Sequence, residues 1–345
     1  MKKGVITILT ISILVFGSFG VIGNNIETKD ECNCGNNYVL DEEIIKDLQA
    51  NQYSLGLIYE SPEEIAKKIP PAEPLGNAPS SWDWRNVDGK DWTTPIRDQA
   101  ECGSCYAFAV MAVLETVYNI NKNNPNLDID LSEQYMVSCG QKQLPFDIHG
   151  CCGGTFAGSI AFIEEQGTIE ENSFAYKAID ANGRDGDECD HLYGSHEKVK
   201  CPNVNGPIYK ASRAKTLFTR NGMKNAINEY GPLVTSMYVY DDFPDYNGGI
   251  YVKNSNRLLG GHMVAIVGYN DDPGYWICKN SWGTEWGEDG WFRIKYGECS
   301  IDLAFTSAYF TSCIKPRIKN YDFFSFFENP LIMKFLIKLP FFKFL

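Results

Sequence analysis

The stretch Gln99-Ala-Glu-Cys-Gly-Ser-Cys-Tyr-Ala-Phe108 carries the strongest structural signal in the chain. It places Cys105 just before an apolar run, Ala107 to Leu114, that predicts a buried helix. Unpaired backbone N–H groups at a helix N-terminus favour negative charge, so we expect a lowered pKa for the Cys105 thiol. Because the thiolate is the reactive form of cysteine, this position predicts a nucleophile.

Composition and charge limit the number of domains and the kinds of partner. The chain has 345 residues, of which 44% are hydrophobic, so it can bury a substantial core. At roughly 150 residues per domain, this length predicts about two domains. The formal net charge is −13 and the isoelectric point is about 4.9. Nucleic-acid binding needs clustered Lys and Arg, and the sequence has no basic stripe, so we expect no nucleic-acid partner.

Residues 1–23 predict a signal peptide. Lys2 and Lys3 form a positive start, and the apolar run Val5 to Phe16 follows them. The alternative is an uncleaved membrane anchor, because the apolar stretch 4–23 approaches the length that spans a bilayer. All 12 cysteines follow this segment. Many cysteines in an exported chain favour disulfides, so we expect a secreted protein or one in a lysosome-like compartment.

Two regions of different composition come next. Residues 24–78 are polar, with a short helix expected over Pro62–Lys68 and prolines that favour an extended linker. Residues 79–313 are rich in Trp, Tyr and Gly. Their first half carries helix-like segments, and their second half alternates turns with β-like runs such as Leu233–Tyr240. This order predicts an α+β fold with two subdomains and a cleft between them, where ligands commonly bind.

Residues 314–345 form a C-terminal tail that is strongly aromatic and carries several lysines. Pro330 and Pro340, together with these charges, disfavour a membrane-spanning helix. Two interpretations remain open. One is a weak contact with anionic lipid or with another protein, and the other is a segment that packs on the body or has no fixed place.

Catalysis by cysteine needs a base for the thiol proton and a third group that orients the base. Of the four histidines, His262 opens a β-like apolar run after two glycines, so its ring is placed to project into a cleft. The alternative is a buried core histidine. Asn280 ends the next predicted strand and is placed to orient this ring, while Trp282 would shield the contact from water. The side-chain N–H of Gln99 and the backbone N–H of Cys105 predict an oxyanion hole.

Five motifs occur in a fixed order, namely Gln99…Cys102-Gly-Ser-Cys105, Leu131-Ser-Glu-Gln134, Gly150-Cys151…Gly153-Gly154, Gly261-His262…Val267-Gly-Tyr269 and Tyr275-Trp…Lys279-Asn-Ser-Trp-Gly283. With them, residues 82–313 resemble the papain-like cysteine peptidases, the family that includes the cathepsins. The resemblance implies a papain fold, in which a helical left domain and a β-barrel-like right domain enclose the cleft. It also implies peptide-bond hydrolysis through a thioester acyl-enzyme, without metal or organic cofactor. The implied catalytic residues are Cys105 as nucleophile, His262 as base and then acid, Asn280 as orienting group, and Gln99 in the oxyanion hole.

The resemblance also implies a precursor. Residues 24–78 are similar to a propeptide that blocks the cleft until it is removed, and they are short, as in cathepsin B-like or prokaryotic forms. The expected partners are peptide or protein substrates and the chain's own propeptide, and we expect a monomer.

Disulfide expectations follow from the resemblance as well. The expected bonds are Cys102–Cys151, Cys139 with either Cys189 or Cys201, and Cys278–Cys299. The last bond is expected because the cysteine that usually precedes the catalytic histidine is missing here. The spacing of Cys102 and Cys105 also fits a redox or zinc site, but the sequence has no second cysteine pair at zinc spacing.

The positions that match the family's substrate cleft are Gly153, Gly154, Thr155, Phe156, Ser236, Gly261, Trp282 and Ala304. Gly154 is expected to hydrogen-bond an extended substrate. The small, neutral Ala304 matches the floor of the S2 pocket and predicts apolar residues at P2. The stretch 180–200 resembles an insertion, and it lacks the paired histidines of a cathepsin B occluding loop. We therefore expect endopeptidase rather than exopeptidase activity.

Three positions depart from the family pattern. Tyr106 stands where Trp is usual, Gly261 replaces a commonly polar residue, and Cys152 replaces Asn. We expect little effect from Tyr106 and a shifted pH profile from Gly261. Two other functions remain as alternatives: an inactive papain-fold binding protein, and a transpeptidase that uses the same acyl-enzyme. All four catalytic positions are present, which favours an active enzyme.

Overall fold

The helix Cys105–Asn121 lies at the centre of the computed structural model, and its sequence explains why. The run that opens it is apolar on every side, and a helix with this pattern is buried all round. Accordingly, 13 of its 17 residues are buried. The predicted buried helix is confirmed, and Cys105 is its first residue.

The structure describes residues 55–73, 76–141, 146–204, 206–302 and 307–314. The predicted signal peptide, the predicted propeptide before residue 55, Ala304 and the tail from residue 315 lie outside the described residues. Within the described ranges, no helix has both the length and the apolar character needed to cross a membrane.

Polar side chains fix where the helices begin. Four helices follow a Ser or Thr whose side chain accepts a hydrogen bond from a backbone N–H of the first turn, namely Ser61, Ser132, Thr155 and Thr219. Ser61 and Glu64 complete a reciprocal capping box. In chain order, the helices of the described residues are α1 Pro62–Lys68, α2 Cys105–Asn121, α3 Glu133–Gly140, α4 Phe156–Glu165 and α5 Arg220–Glu229.

The strands of the described residues are, in chain order, β1 Leu57–Ile58, β2 Ser81–Asp83, β3 Gly154–Thr155, β4 Lys210–Ala211, β5 Lys215–Leu217, β6 Leu233–Tyr240, β7 Ile250–Tyr251, β8 Leu258–Asn270, β9 Tyr275–Lys279, β10 Trp291–Lys295, β11 Ser307–Tyr309 and β12 Cys313–Ile314. A large sheet has the order β5-β11-β6-β8-β9-β10-β7, and β2 also pairs with β8. Its pairs are antiparallel except β10 with β7. Two small sheets join β1 to β3 and β4 to β12.

The central strand β8 is covered on both faces, and this divides the core into two clusters. Successive residues of a strand point to opposite faces. Met263 and Ala265 pack with α2, α3 and α4, whereas Val264 and Ile266 pack with the aromatic residues of the sheet. A strand buried on both faces needs a continuous apolar run, as this one has. The two clusters confirm the predicted α+β fold with a helical half and a β half.

The structure contains three disulfides among the described residues, which are Cys102–Cys151, Cys139–Cys201 and Cys152–Cys189. The first is the bond that the family resemblance implied. Cys139 takes one of its two expected partners, and Cys189 bonds instead to Cys152. The third bond therefore ties the insertion at 180–200 to the turn before β3.

The expected bond between Cys278 and Cys299 is wrong, because both cysteines are free and buried. Cys278 lies within β9, where the charge of Arg85 acts on its thiol. Cys299 lies in the turn Glu298–Ser300, beside Asp242 and Tyr251. The two sulfurs thus have different neighbours, although the strands that carry or precede them are adjacent.

Candidate active site

Cys105 begins α2, and its side chain is fully buried. The backbone N–H of Met263 donates to its Sγ at 3.4 Å, and the N–H groups of Gly56 and Tyr106 also hydrogen-bond the sulfur. Burial nevertheless raises the pKa of the thiol to about 11, since loss of hydration outweighs these donors. The expected lowering of the Cys105 pKa is therefore wrong for this form of the site, in which the sulfur is covered.

His262 lies on β8 opposite Met237 of β6, and its imidazole is fully buried. Its Nε2 is 2.8 Å from Oδ1 of Asn280. An amide oxygen only accepts, so this contact assigns the proton to Nε2 and leaves a lone pair on Nδ1. Nδ1 has no hydrogen-bond partner among the described residues. Burial lowers the pKa of His262 to about 4, so the imidazole is neutral near pH 7.

The ring of Trp282 packs against the imidazole of His262, which is bonded to Asn280. Its centroid lies 4.9 Å from that of the imidazole, with 31° between the planes. Trp282 itself is 3% exposed. Because this large apolar ring excludes water, the hydrogen bond between His262 and Asn280 is made in a low-dielectric environment, where it is stronger.

A chain of hydrogen bonds continues from Asn280 to the opposite wall of the site. Oδ1 of Asn280 accepts from the backbone N–H of Ser281 at 2.9 Å. The hydroxyl of Ser281 donates to Oε1 of Gln99 at 2.6 Å, and Nε2 of Gln99 donates to the carbonyl of Cys102 at 2.9 Å. These contacts fix both ends of the Gln99 amide.

Sequence reasoning missed the role of Ser281. The signal in the sequence was the position of Ser281 inside the Asn-Ser-Trp motif, but this motif does not indicate that the hydroxyl contacts Gln99. That contact spans 182 positions of the chain. A buried lysine, Lys279, lies on the other side of Asn280 and donates to Thr94, which in turn donates to Glu115 of α2. Polar contacts therefore hold the end of β9 against α2.

Residues 55–58 occupy the cleft beside Cys105. The strand β1 pairs in parallel with β3, and the N–H of Gly154 donates to the carbonyl of Gly56 at 2.9 Å. A Cβ on Gly56 would lie 1.9 Å from the carbonyl oxygen of Gly103, so only glycine fits this closely between the walls. The segment thus lies against the backbone that the sequence assigned to substrate.

The other end of this segment is anchored by Glu60, which is 8% exposed. Its carboxylate accepts from the backbone N–H of Ala157 at 2.6 Å, at the start of α4. It also forms an ion pair with Lys68 of α1 at 2.6 Å. The helix N-terminus and the Lys68 ammonium both attract the Glu60 side chain, so these contacts hold the segment in place.

Three of the predicted substrate-binding residues, Gly153, Gly154 and Gly261, lie against residues 55–58. Gly153 and Gly154 flank Gly56, and a Cβ on Gly261 would lie 2.8 Å from the Leu57 side chain. Thr155, Phe156 and Ser236 are buried. Ala304 lies outside the described residues. The roles assigned to these positions, and those of the four catalytic positions, stay predictions at this point.

Tyr106, the departure at the second residue of α2, is fully buried. Its hydroxyl donates to the carbonyl of Gly150 at 2.9 Å, and a Cβ on Gly154 would lie 3.1 Å from its ring. The tyrosine thus fixes the turn that carries the glycines of the cleft, as a large aromatic residue with a polar end can do.

One group of side chains within the described residues has metal-ligand character. Asp185, Glu188 and His196 place one ligand atom each within 4.8 Å of one another. Nε2 of His196 is 2.9 Å from Asp185 and 3.9 Å from Glu188, so hydrogen bonding inside the group explains its geometry. The histidine is exposed, and we assign no metal to these residues.

Comparison with known proteins adds an independent line of observation. Residues 78–309 match the family model described as "Papain family cysteine protease". Viral cathepsin of Cydia pomonella granulosis virus is 30% identical over 300 residues, which cover 81% of this chain and 80% of that protein. Cathepsin B-like CP3 of Giardia intestinalis is 31% identical over 270 residues, with 72% and 82% covered. Pro-cathepsin H of Mus musculus is 32% identical over 240 residues, with 68% and 65% covered.

Proposed function

Because the chain belongs to the papain family of cysteine proteases and is a cysteine-type peptidase, we propose that Cys105 is its nucleophile and His262 its base. Asn280 orients the imidazole, and Gln99 contributes to the oxyanion hole. One observation carries this assignment. His262 bonds Asn280 through Nε2 and keeps a lone pair on Nδ1, while the next residue, Met263, bonds the Cys105 sulfur.

The reaction proceeds in two halves. Nδ1 of His262 accepts the thiol proton, and the Cys105 sulfur attacks the carbonyl carbon of the substrate. The N–H groups of Cys105 and Gln99 stabilise the charge on the carbonyl oxygen. The imidazolium then gives its proton to the leaving amine as the C–N bond breaks, and a thioester remains. Water attacks the thioester while His262 takes its proton, and the carboxylic acid leaves as the thiol is restored.

The enzyme is made as a zymogen, with residues 24–78 as its propeptide. Support comes from the segment that now fills the cleft. It presents the backbone N–H of Gly56 to the Cys105 sulfur and lies along Gly154, where substrate is expected. In this buried form the thiol is protonated and the imidazole is neutral near pH 7. The precursor is therefore unreactive until this segment leaves.

The mature enzyme is a monomeric, secreted endopeptidase that prefers apolar residues at P2. The signal-peptide pattern of residues 1–23 and the three disulfides support export. The apolar side chain of Leu57 packs against Gly261 in the cleft, which supports an apolar preference. The lack of paired histidines in the insertion supports endopeptidase action.

The test is hydrolysis of a fluorogenic dipeptide amide with Leu or Phe at P2, by protein processed near residue 78. The expected result is turnover that requires a thiol reductant and that is lost in Cys105→Ala. Absence of turnover by folded, processed wild-type protein would favour the inactive binding protein instead. Products formed with an added amine, analysed by mass spectrometry, separate hydrolysis from transpeptidation.

A further inference from the structure

Beyond Trp282, the cleft opens into a cavity of about 460 Å³ that the mechanism above does not use. Its walls come from the segment before α2, from the loop that contains the insertion, and from the turn after β9. Trp282 lines it and also packs against His262, so the cavity lies next to the residue that covers the imidazole. Gly154 and Gly261, which contact residues 55–58, do not line it.

The position of His262 determines which part of a peptide would enter this cavity. The imidazolium protonates the leaving amine, so the chain that follows the scissile bond must pass next to His262. The acyl part lies on the other side, along Gly154. A cavity whose inner wall is Trp282 therefore receives the first residues after the scissile bond, which are P1′ and P2′.

The lining of the cavity is strongly acidic. Four carboxylates face it, those of Asp98, Glu101, Asp185 and Glu285. His196 is the single basic residue in the lining, and it lies 2.9 Å from Asp185. Asp98, Glu101 and Glu285 are exposed, and within the described part of the chain none of them forms an ion pair with Lys or Arg. The carboxylates of Asp98, Glu101 and Glu285 thus lie at this cavity without a Lys or Arg partner among the described residues.

The same cavity has an apolar contribution from two residues, Ala178 and Ile179, which are partly buried. Lys and Arg side chains match this combination, because their methylene stems pack on apolar surface while their charged ends remain near carboxylates. A neutral aliphatic side chain would use only the apolar part, and an acidic one would meet like charge.

On the basis of the proposed peptidase function, we propose that this acidic cavity selects substrates with Lys or Arg at P1′ or P2′. Asp98 and Glu285 are the specificity-determining residues, since they flank Trp282 and have no basic partner. The same charge disfavours a free C-terminal carboxylate at this place, so the cavity also suppresses removal of short C-terminal fragments.

The test uses internally quenched peptides with Leu at P2 and one varied position, either P1′ or P2′, which carries Arg, Ala or Glu. For the processed wild-type enzyme, we expect kcat/KM to be about tenfold higher for Arg than for Glu at one of these positions. In the double variant Asp98→Asn/Glu285→Gln, this ratio should fall to about threefold or less. The substitution Asp98→Asn keeps a side-chain oxygen that can accept from the N–H of Ala100, as the carboxylate does, so the local turn is preserved.

The control variant is Glu197→Gln, which removes one negative charge from the same loop but outside the cavity. It should keep the wild-type ratio of Arg to Glu. High salt should reduce the ratio in the wild type, since exposed charges are screened over about 3 Å at about 1 M salt.

The dipeptide amide has no residue after the scissile bond, and this separates the two ways of failing. If wild-type enzyme hydrolyses the dipeptide amide but cleaves the Arg and Glu peptides equally, the selection by the cavity is refuted and the proposed function stands. If it hydrolyses neither kind of substrate, the proposed function fails and the selection fails with it. A ratio that persists in the double variant would assign the preference to other residues and overturn the proposal.

Discussion

The two sides of the Cys105 sulfur are built from different kinds of contact. On the side of Gly154, residues 55–58 fill the cleft, mainly through backbone hydrogen bonds and close glycine contacts. On the side of Trp282, the cavity is open and is lined by charged side chains. Backbone contacts accept many sequences, whereas charged side chains discriminate between them. The first side is therefore suited to hold a covering segment, and the second to select a substrate.

From this difference we infer that the reactivity of the Cys105 thiol and the selection of substrates can be changed separately. Burial raises the pKa of Cys105 and lowers that of His262, and Gly56 of the covering segment hydrogen-bonds the Cys105 sulfur. No carboxylate of the acidic cavity is among the causes of either shift. Changes to the first side should alter whether the thiol reacts, and changes to the second should alter only which peptides it cleaves.

Removing the segment before about residue 78 should give the largest effect. With the pKa of Cys105 at about 11, only about one thiol in a thousand is ionised at about pH 8. Hydration and the nearby N–H donors should lower this pKa once the segment leaves, so we expect alkylation by iodoacetamide to accelerate at least about a hundredfold. Peptide mapping by mass spectrometry measures the rate at Cys105, with the buried Cys278 as an internal reference.

The pH dependence of alkylation tests the direction of the Cys105 pKa shift independently of the absolute alkylation rate. In the precursor, alkylation of Cys105 should keep rising toward about pH 11, because ionisation is incomplete below that value. In the processed protein, it should level off at lower pH. Identical profiles for the two forms would contradict the idea that the segment controls the thiol.

The substitution Gly56→Val should give the next largest effect. Its Cβ would lie 1.9 Å from the carbonyl oxygen of Gly103, which is backbone and cannot move aside. The segment should therefore be displaced, and hydrolysis of the dipeptide amide by unprocessed protein should rise about tenfold or more. The matched control is Gly76→Val, because a Cβ there meets nothing within 4 Å.

Processing provides a second control for Gly56→Val. Residue 56 lies in the segment that is removed, so processed enzyme from the variant and from the wild type should have equal kcat/KM. If unprocessed Gly56→Val remains as inactive as the wild-type precursor, the covering segment does not depend on this close approach.

Most of the fold could be predicted because its signals are local. The apolar run after Cys105 gave a helix that is buried all round, and the run after His262 gave the central strand. The approach of Cys105 and His262 was expected from the need of a thiol for a base and from the order of the motifs. In the structure, the residue after His262, Met263, contacts the Cys105 sulfur across 158 positions of the chain.

The rest depends on contacts that no local pattern contains. The raised pKa of Cys105 comes from its complete burial, which outweighs the helix N-terminus that the local sequence indicated. The bond between Cys152 and Cys189 depends on how the insertion folds back, and cysteine spacing does not determine connectivity. The acidic cavity joins residues from three separate segments, so it is visible only in three dimensions.

Ser281 offers a test of catalytic positioning, because its hydroxyl donates to the Gln99 amide that is proposed for the oxyanion hole. In Ser281→Ala, the Gln99 amide loses this donor and its N–H is aimed less well at the oxyanion. We expect kcat to fall about tenfold with little change in KM, which is less than the effect of removing an oxyanion-hole donor outright. Ser281→Thr keeps the hydroxyl and should recover most of kcat. Equal losses in both variants would indicate a packing defect rather than a positioning role.

The smallest effect is expected from the disulfide that joins the two sides. Cys152 precedes the glycines of the cleft, and Cys189 belongs to the loop that carries Asp185 and His196. In Cys152→Ser/Cys189→Ser, this loop should lose its fixed position, and the preference for Arg over Glu should fall about threefold. The reference is Cys139→Ser/Cys201→Ser, which breaks a bond outside the cavity.

The two double variants separate stability from selectivity. Each loses a disulfide and should lower the free energy of unfolding by about 2–4 kcal/mol, which a thermal melt measures. Only the first should alter the ratio of kcat/KM for the Arg and Glu peptides, because only its bond fixes a wall of the cavity. A similar change of ratio in both variants would mean that selectivity follows general stability, and the proposed division between a covering side and a selecting side would not hold.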